Sequence, residues 1–301
     1  MMRFKTGLIM TVVIAGMIFA GCGRRESAAS GKLRVVCGLP PVAFIAEKIG
    51  GDRIVVSSML PEGRSPHDYA PRPADIRNAG QAGFFFTTGM NFEKSAVRSL
   101  PETVAVKDVS INIKRRNFDD GQGCCDGHGH NHDHHGEESL DPHVWLSPDN
   151  AVSIAAVICD LFCEKDPANA PFYRKNFSDF KQQMARISQE IGKRLKPFAG
   201  REFLVYHPAF GYFADAAGLR QYPLEINGRE MTARQLATVI SKAKKDNVKV
   251  IFVQKQFNPR LAGELAAKIN GSAMPLDPLA FDLVKNFEDM IAAIEQGFGG
   301  K

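Results

Sequence analysis

The 301-residue sequence lacks the features that usually mark a catalyst, a membrane channel or a nucleic-acid binder. It contains no His-Glu-x-x-His helix, no glycine-rich phosphate loop and no Gly-x-Ser-x-Gly turn, which removes the commonest routes to zinc-peptidase, nucleotide and serine-nucleophile chemistry. No apolar run reaches the roughly twenty residues that a spanning helix needs. Charge of one sign is also scarce: 38 basic and 33 acidic residues leave a formal +5. Without Arg3 and Lys5, which lie in an N-terminal segment expected to be removed, the balance is +3, too even for a dedicated nucleic-acid binder. Histidine is rare, and its placement is informative. Five of the eight fall within His128–His135, and the others are His67, His143 and His207. With 44% apolar and 24% charged residues, the chain suits one large or two ordinary globular domains and excludes a disordered or fibrous protein.

The first residues read as an address. A short basic start, Met1 to Lys5, precedes an apolar run from Gly7 to Gly21, which ends in Phe19-Ala20-Gly21-Cys22. Small residues before a cysteine resemble a lipoprotein signal. The resemblance implies that residues 1–21 are removed and that Cys22 becomes the lipidated N-terminus. Its acyl chains would hold the protein to a membrane outside the cytoplasm, in the periplasm or at the cell surface. Residues 22–32 then form a flexible tether. The remaining cysteines are Cys37, Cys124, Cys125, Cys159 and Cys163, an odd set whose pairing the sequence leaves open. Cys159 and Cys163 share a helix face as small buried side chains, while Cys124-Cys125 beside the histidine run offers soft metal ligands.

From Leu33 onward, short β-branched or apolar runs alternate with helical patterns, the mark of parallel βαβ units. Strands are expected at Leu33–Cys37, Ile54–Leu60, Gly83–Thr88 and Val104–Val106, with helices at Ala43–Ile49 and Ala74–Ala79. Residues 112–140 break the pattern with Gly, Asp, Asn and His and read as a disordered loop. Ser147-Pro148-Asp149 opens a helix toward Cys163. A longer helix over Ala170–Lys196 has apolar residues from Phe172 to Leu195 at helical spacing and stops at Pro197. Beyond it come strands at Phe203–Tyr206, Val248–Val253 and Ala273–Leu276, and helices at Thr232–Asp246, Pro259–Ile269 and Phe281–Phe298. The predicted fold is α/β: two small lobes with mostly parallel sheets, 33–168 and 198–301, joined by one long rigid helix, 169–197.

The three isolated histidines sit in Ser-Pro-His67-Asp-Tyr, Asp-Pro-His143-Val-Trp and Tyr-His207-Pro, and a fourth turn of the same character is Leu-Asp277-Pro. Each has proline beside the candidate ligand or next to it, which stiffens the backbone there. Each falls near a strand end or a helix start, where ligands of open α/β sheets gather. Three neutral imidazoles and a carboxylate form a borderline-soft tetrahedral set suited to Zn²⁺. The ligands are 64 to 76 positions apart, which suggests a site clasped between lobes. Four protein ligands leave no position for an activated water, so the set points to carrying metal and away from catalysis.

Leu60-Pro-Glu-Gly-Arg-Ser-Pro-His67-Asp-Tyr69 followed by Arg72-Pro-Ala-Asp75, Asp141-Pro-His-Val-Trp-Leu-Ser-Pro148, Tyr206-His-Pro-Ala-Phe-Gly-Tyr-Phe213 and Leu276-Asp-Pro-Leu279 resemble, in order, the ligand segments of the zinc and manganese solute-binding proteins of ABC transporters, the ZnuA/TroA-like group. The likeness covers the chain from Leu33 on. It implies an extracytoplasmic receptor, not an enzyme, that delivers metal to an ABC-transporter permease with small hinge motion. A monomer is expected, and the even charge balance leaves nucleic acid out of its partners. Manganese receptors of the group tend to carry a carboxylate at the third position, so His207 favours zinc, as does ligand softness. The alternatives are a manganese receptor of the same fold, a secreted zinc hydrolase with one ligand reassigned as general base, and an adhesin on this scaffold.

His128, His130, His132, His134 and His135 resemble the His- and acid-rich insert of zinc receptors in that group. Flexible imidazoles bind metal weakly because each site must be ordered on binding, which suits capture or buffering ahead of the main site. Deleting Gly121–Gly136 is expected to leave one tight metal site and remove the weaker ones; a calorimetric metal titration of the deletion variant checks this.

Overall fold

Runs of β-branched and aromatic residues in the first third of the chain form β1 (Leu33–Cys37), β2 (Ile54–Ser58), β3 (Phe84–Thr87) and β4 (Ala105–Asp108). They pair in parallel in the order β2-β1-β3-β4. The computed structural model describes residues 31–118, 140–226, 229–246, 248–254 and 259–299. The expected signal segment, Cys22, the tether up to residue 30, Cys124, Cys125 and the histidines from His128 to His135 lie outside those residues. Among the helices of this half, α1 (Pro40–Gly50) starts on two prolines, α2 (Pro73–Ala79) follows β2, and α3 (Asn91–Val97) follows β3. α4 (Pro148–Lys165) begins as the sequence predicts, with Ser147 Oγ accepting from the Asn150 amide at 3.4 Å.

Past α5 (Ala170–Arg194) come β5 (Glu202–Val205), α6 (Gly211–Ala217), β6 (Arg220–Pro223) and a short antiparallel pair, β7 (Glu225–Ile226) with β8 (Arg229–Glu230). α7 (Ala233–Lys245), β9 (Val250–Val253), α8 (Pro259–Lys268), β10 (Ser272–Pro275) and α9 (Leu283–Gly299) complete the chain. The second sheet is also parallel, in the order β10-β9-β5-β6. Taken in chain order, each sheet therefore runs second-first-third-fourth. The two halves repeat one topology, and each has its switch point between its first and third strands.

The expectation of two α/β lobes with parallel sheets and a long linking helix holds. α5, 25 residues or about 37 Å long, packs on α1 and α4 of the first half and on α6 and α9 of the second. Its buried face carries Tyr173, Phe180, Met184, Ile187 and Ile191. Around it one apolar core runs without a break from Val35 and Phe85 through Trp145 and Ile158 to Phe203, Phe252 and Phe287. In the second sheet the period-two alternation is plain. Phe203, Val205, Val250 and Phe252 face this shared core, while Leu204, Ile251 and Val253 face a second cluster with Val239 and Leu265 beneath α7 and α8.

Five elements have no counterpart in the sequence reading. α3 and α6 span seven residues each, just under two turns, and neither opens on a proline as the equally short α2 does. β6 reads Arg-Gln-Tyr-Pro, without β-branched residues; its proline is tolerated because β6 is an edge strand. The two-residue strands β7 and β8 carry no pattern at all. Cys37, Cys159 and Cys163 are free thiols, the first two buried.

Because the core is shared, the lobes are expected to unfold together. Met184→Ala, at a position 1% exposed, should cost about 2–5 kcal/mol. Chemical denaturation followed by Trp145 fluorescence and by far-ultraviolet dichroism should give one coincident transition, shifted to lower denaturant in the variant.

Candidate metal centre

The parallel register of the second sheet assembles one side of the site. Val205 pairs with Pro223 on β6 and with Phe252 on β9. Two residues beyond each of these three lie His207, Glu225 and Gln254, side by side at the carboxyl edge. His207 Nδ1 is hydrogen-bonded to Glu225 Oε1. Gln254 clamps the His207 backbone from both directions: its Oε1 accepts from the His207 amide at 3.2 Å and its Nε2 donates to the His207 carbonyl at 3.0 Å. Glu225 and Gln254 are 6% and 1% exposed, so these bonds form out of contact with bulk water.

His143 comes from the segment between β4 and α4. The buried Asp141, two residues earlier, accepts through Oδ1 from the His143 amide at 2.9 Å and pairs with His143 Nδ1 at 2.8 Å. His67 follows β2, and its amide donates to Ser65 Oγ at 3.3 Å. The three rings converge: His143 Nε2 lies 3.3 Å from His67 Nε2 and 3.3 Å from His207 Nε2. The ligand nitrogens of all three lie within 4.8 Å of one another. In His143 and His207 the carboxylate holds Nδ1 and leaves Nε2 for a metal, the arrangement of a carboxylate–histidine–metal triad. Phe118 stands against both rings, with centroids 6.0 Å from His143 and 5.9 Å from His207.

The structure thus brings together the three histidines singled out in the sequence. It does not bring Asp277 into that group. The row that contains Glu225, His207 and Gln254 continues through Leu276, because Phe252 pairs with Met274. Asp277 is one residue out of step with that row. Its Oδ1 accepts from the Leu279 amide at 3.0 Å. The next residues, Pro278 and Leu279, line the cavity over the histidines, and Trp145 Nε1 donates to the Pro278 carbonyl at 2.6 Å. Asp141, Glu225, Gln254 and Phe118 are absent from the sequence-derived set. Asp141 could have been found, since an aspartate two residues before a histidine is placed to bond that residue's amide; the other three depend on strand register and chain crossing.

Burial lowers the pKa of His143 from the ordinary 6.5, against the opposing pull of Asp141. His67 stands at the exposed rim, but its ring lies 4.4 Å from that of His207, centroid to centroid. Desolvation, and then repulsion from the His207 and His143 imidazoles, lowers its pKa as well. Both rings are therefore held neutral, the form that binds metal.

Comparison with known proteins identifies the family. A family model described as zinc-uptake complex component A, periplasmic (ZnuA), matches residues 35–297. The chain is 29% identical over 286 residues to the high-affinity zinc uptake system protein ZnuA of Yersinia pestis, covering 87% of this chain and 88% of that one. It is 28% identical over 264 residues to the manganese ABC transporter substrate-binding lipoprotein PsaA of Streptococcus anginosus, covering 86% and 84%. A crystal structure of ZnuA superposes with a TM-score of 0.80 at 29% identity, covering 89% of this chain and 99% of that one.

The depressed pKa values set a pH dependence. Three imidazoles of ordinary pKa would each compete with a proton below pH 6.5, so log Kd for metal would rise by about three per pH unit. With His67 and His143 held neutral, the rise between about pH 6.5 and 5 is expected to be well below three per unit. Chelator-competition titrations across that range measure the slope.

Proposed function

Since the chain belongs to the ZnuA family and is the substrate-binding component of a metal ABC transporter, we propose that its cargo is Zn²⁺, held by His67, His143 and His207 and delivered to the membrane permease. The observation that carries this reading is the pair of 3.3 Å Nε2···Nε2 separations. A tetrahedral ion with metal–nitrogen bonds of about 2.0–2.1 Å has nitrogen–nitrogen edges of about 3.3–3.4 Å, so His143 already stands at zinc spacing from both other imidazoles. As a receptor of this family the protein is not an enzyme, and the secreted-hydrolase alternative falls.

In the proposed site Asp277 supplies the fourth ligand by leaving its turn at the cavity edge. Three neutral imidazoles leave a divalent ion's charge uncompensated, and a carboxylate as fourth ligand offsets part of it. The capture role of the histidines from His128 to His135 draws support from the roots of their segment. Asn117 bridges Leu140, and the Asp141 amide donates to the Arg116 carbonyl at 2.9 Å, two residues before His143. The lobes 33–168 and 198–301, the anchor on Cys22 and the monomeric state complete the proposal. No helix among the described residues is long and apolar enough to cross a membrane.

The manganese reading draws on the PsaA relative and on the hard oxygen of Asp277. Cobalt substitution separates the two. Zinc-type coordination gives intense tetrahedral ligand-field bands, and weak octahedral bands would move the assignment to manganese. His67→Ala, His143→Ala and His207→Ala should each weaken zinc binding by more than the about 10–100-fold typical of losing an outer-shell partner. Asp277→Ala should weaken it less, and direct titration of the four variants tests the ranking.

A further inference from the structure

One residue behind His143 belongs neither to the ligand set nor to the imidazole–carboxylate pairs. Arg116 follows β4 in the first half of the chain. Its Nη1 donates to Asp141 Oδ2 at 3.3 Å, and its Nε donates to Asp215 Oδ2 on α6, in the second half, at 2.9 Å. The backbone joins the same knot. The Arg116 amide donates to Tyr212 Oη at 3.2 Å, and Tyr212 Oη donates to the Asp141 carbonyl at 3.0 Å. Gly211, the first residue of α6, makes room for the guanidinium: a Cβ there would stand 1.9 Å from Arg116 Nη1 and 2.9 Å from Asp141 Oδ2.

Asp141 is fully buried, and its Oδ1 is already taken twice by His143. A buried carboxylate needs a counter-charge, and Arg116 provides it on the other oxygen. The planar fork of arginine can grip Asp141 and Asp215 at once, which the single ammonium of lysine does less well. We propose that Arg116 is a positioning residue for the metal centre: by gripping Asp141 and Asp215 together it aims Asp141 at His143, fastens the first half of the chain to α6, and so lengthens the residence of the bound cation. This rests on the reading that His143 is a metal ligand.

The test uses the full chain loaded with Zn²⁺ and chased with excess chelator, alongside the thermal midpoint of the metal-free protein and the ligand-field spectrum of the Co²⁺ form. Arg116→Gln is expected to release zinc about tenfold faster, at the low end of outer-shell effects, and to shift the Co²⁺ bands. Arg116→Lys should restore part of the residence time. Asp215→Asn touches a carboxylate whose side chain is 59% exposed and folds without difficulty; it should release zinc about threefold faster with the metal-free midpoint unchanged. If Arg116→Gln does not fold, the lysine and Asp215 variants carry the test. Wild-type release rates in Asp215→Asn, or in a folded Arg116→Gln, overturn the proposal. A His143→Ala variant that keeps wild-type zinc affinity would instead overturn the metal site itself.

Discussion

Everything at the metal centre depends on burying carboxylates beside imidazoles and satisfying them there. Asp141 and Glu225 are withdrawn from water, and each gives an oxygen to the Nδ1 of a histidine. An unpaired buried charge would be strongly destabilising, so these bonds are obligatory, and once made they fix both the tautomer and the aim of the rings. The far nitrogens of these two rings are left as acceptors, 3.3 Å apart, and with His67 Nε2 beside them they form a receptacle for a cation. The neighbouring carboxylates favour the same occupant through space.

That receptacle is assembled from distant stretches because two ordinary constraints coincide. The first is register: in a parallel sheet, residues at equal distance past paired positions lie abreast, which puts Glu225, His207 and Gln254 in one row. The second is the apolar body threaded by α5, which holds the two halves against each other so that His67 and His143 can meet His207. Close packing on this scale leaves little slack, and little slack is what a coordination sphere requires.

Much of this was legible in the sequence. The span of β1 was read to the residue because Leu-Arg-Val-Val-Cys is bounded on both sides by turn signals, and the start of α4 was read because Ser147-Pro148 is an unambiguous cap. His67, His143 and His207 stood out because histidine is otherwise so rare and because proline sits near each. The partners of those histidines were hidden for a physical reason. Glu225 lies 18 residues from His207 and Gln254 lies 47, and only strand pairing, which a single sequence does not display, makes them neighbours. Asp277 was grouped with the histidines on local character alone; one step along a strand moved it out of the row.

The unbroken core has a mechanical corollary. A clamshell receptor that swings wide hides and reveals its cargo by rotating rigid halves across a wet cleft. Here such a swing would split the one apolar core that both halves share and strip Trp145 from Pro278, at about 1.5–3 kcal/mol for each buried side chain exposed. Unlocking is therefore confined to the rim, where His67 lies at the surface. A docking transporter need only tug at that fringe, leaving the body of the receptor as a stationary anvil.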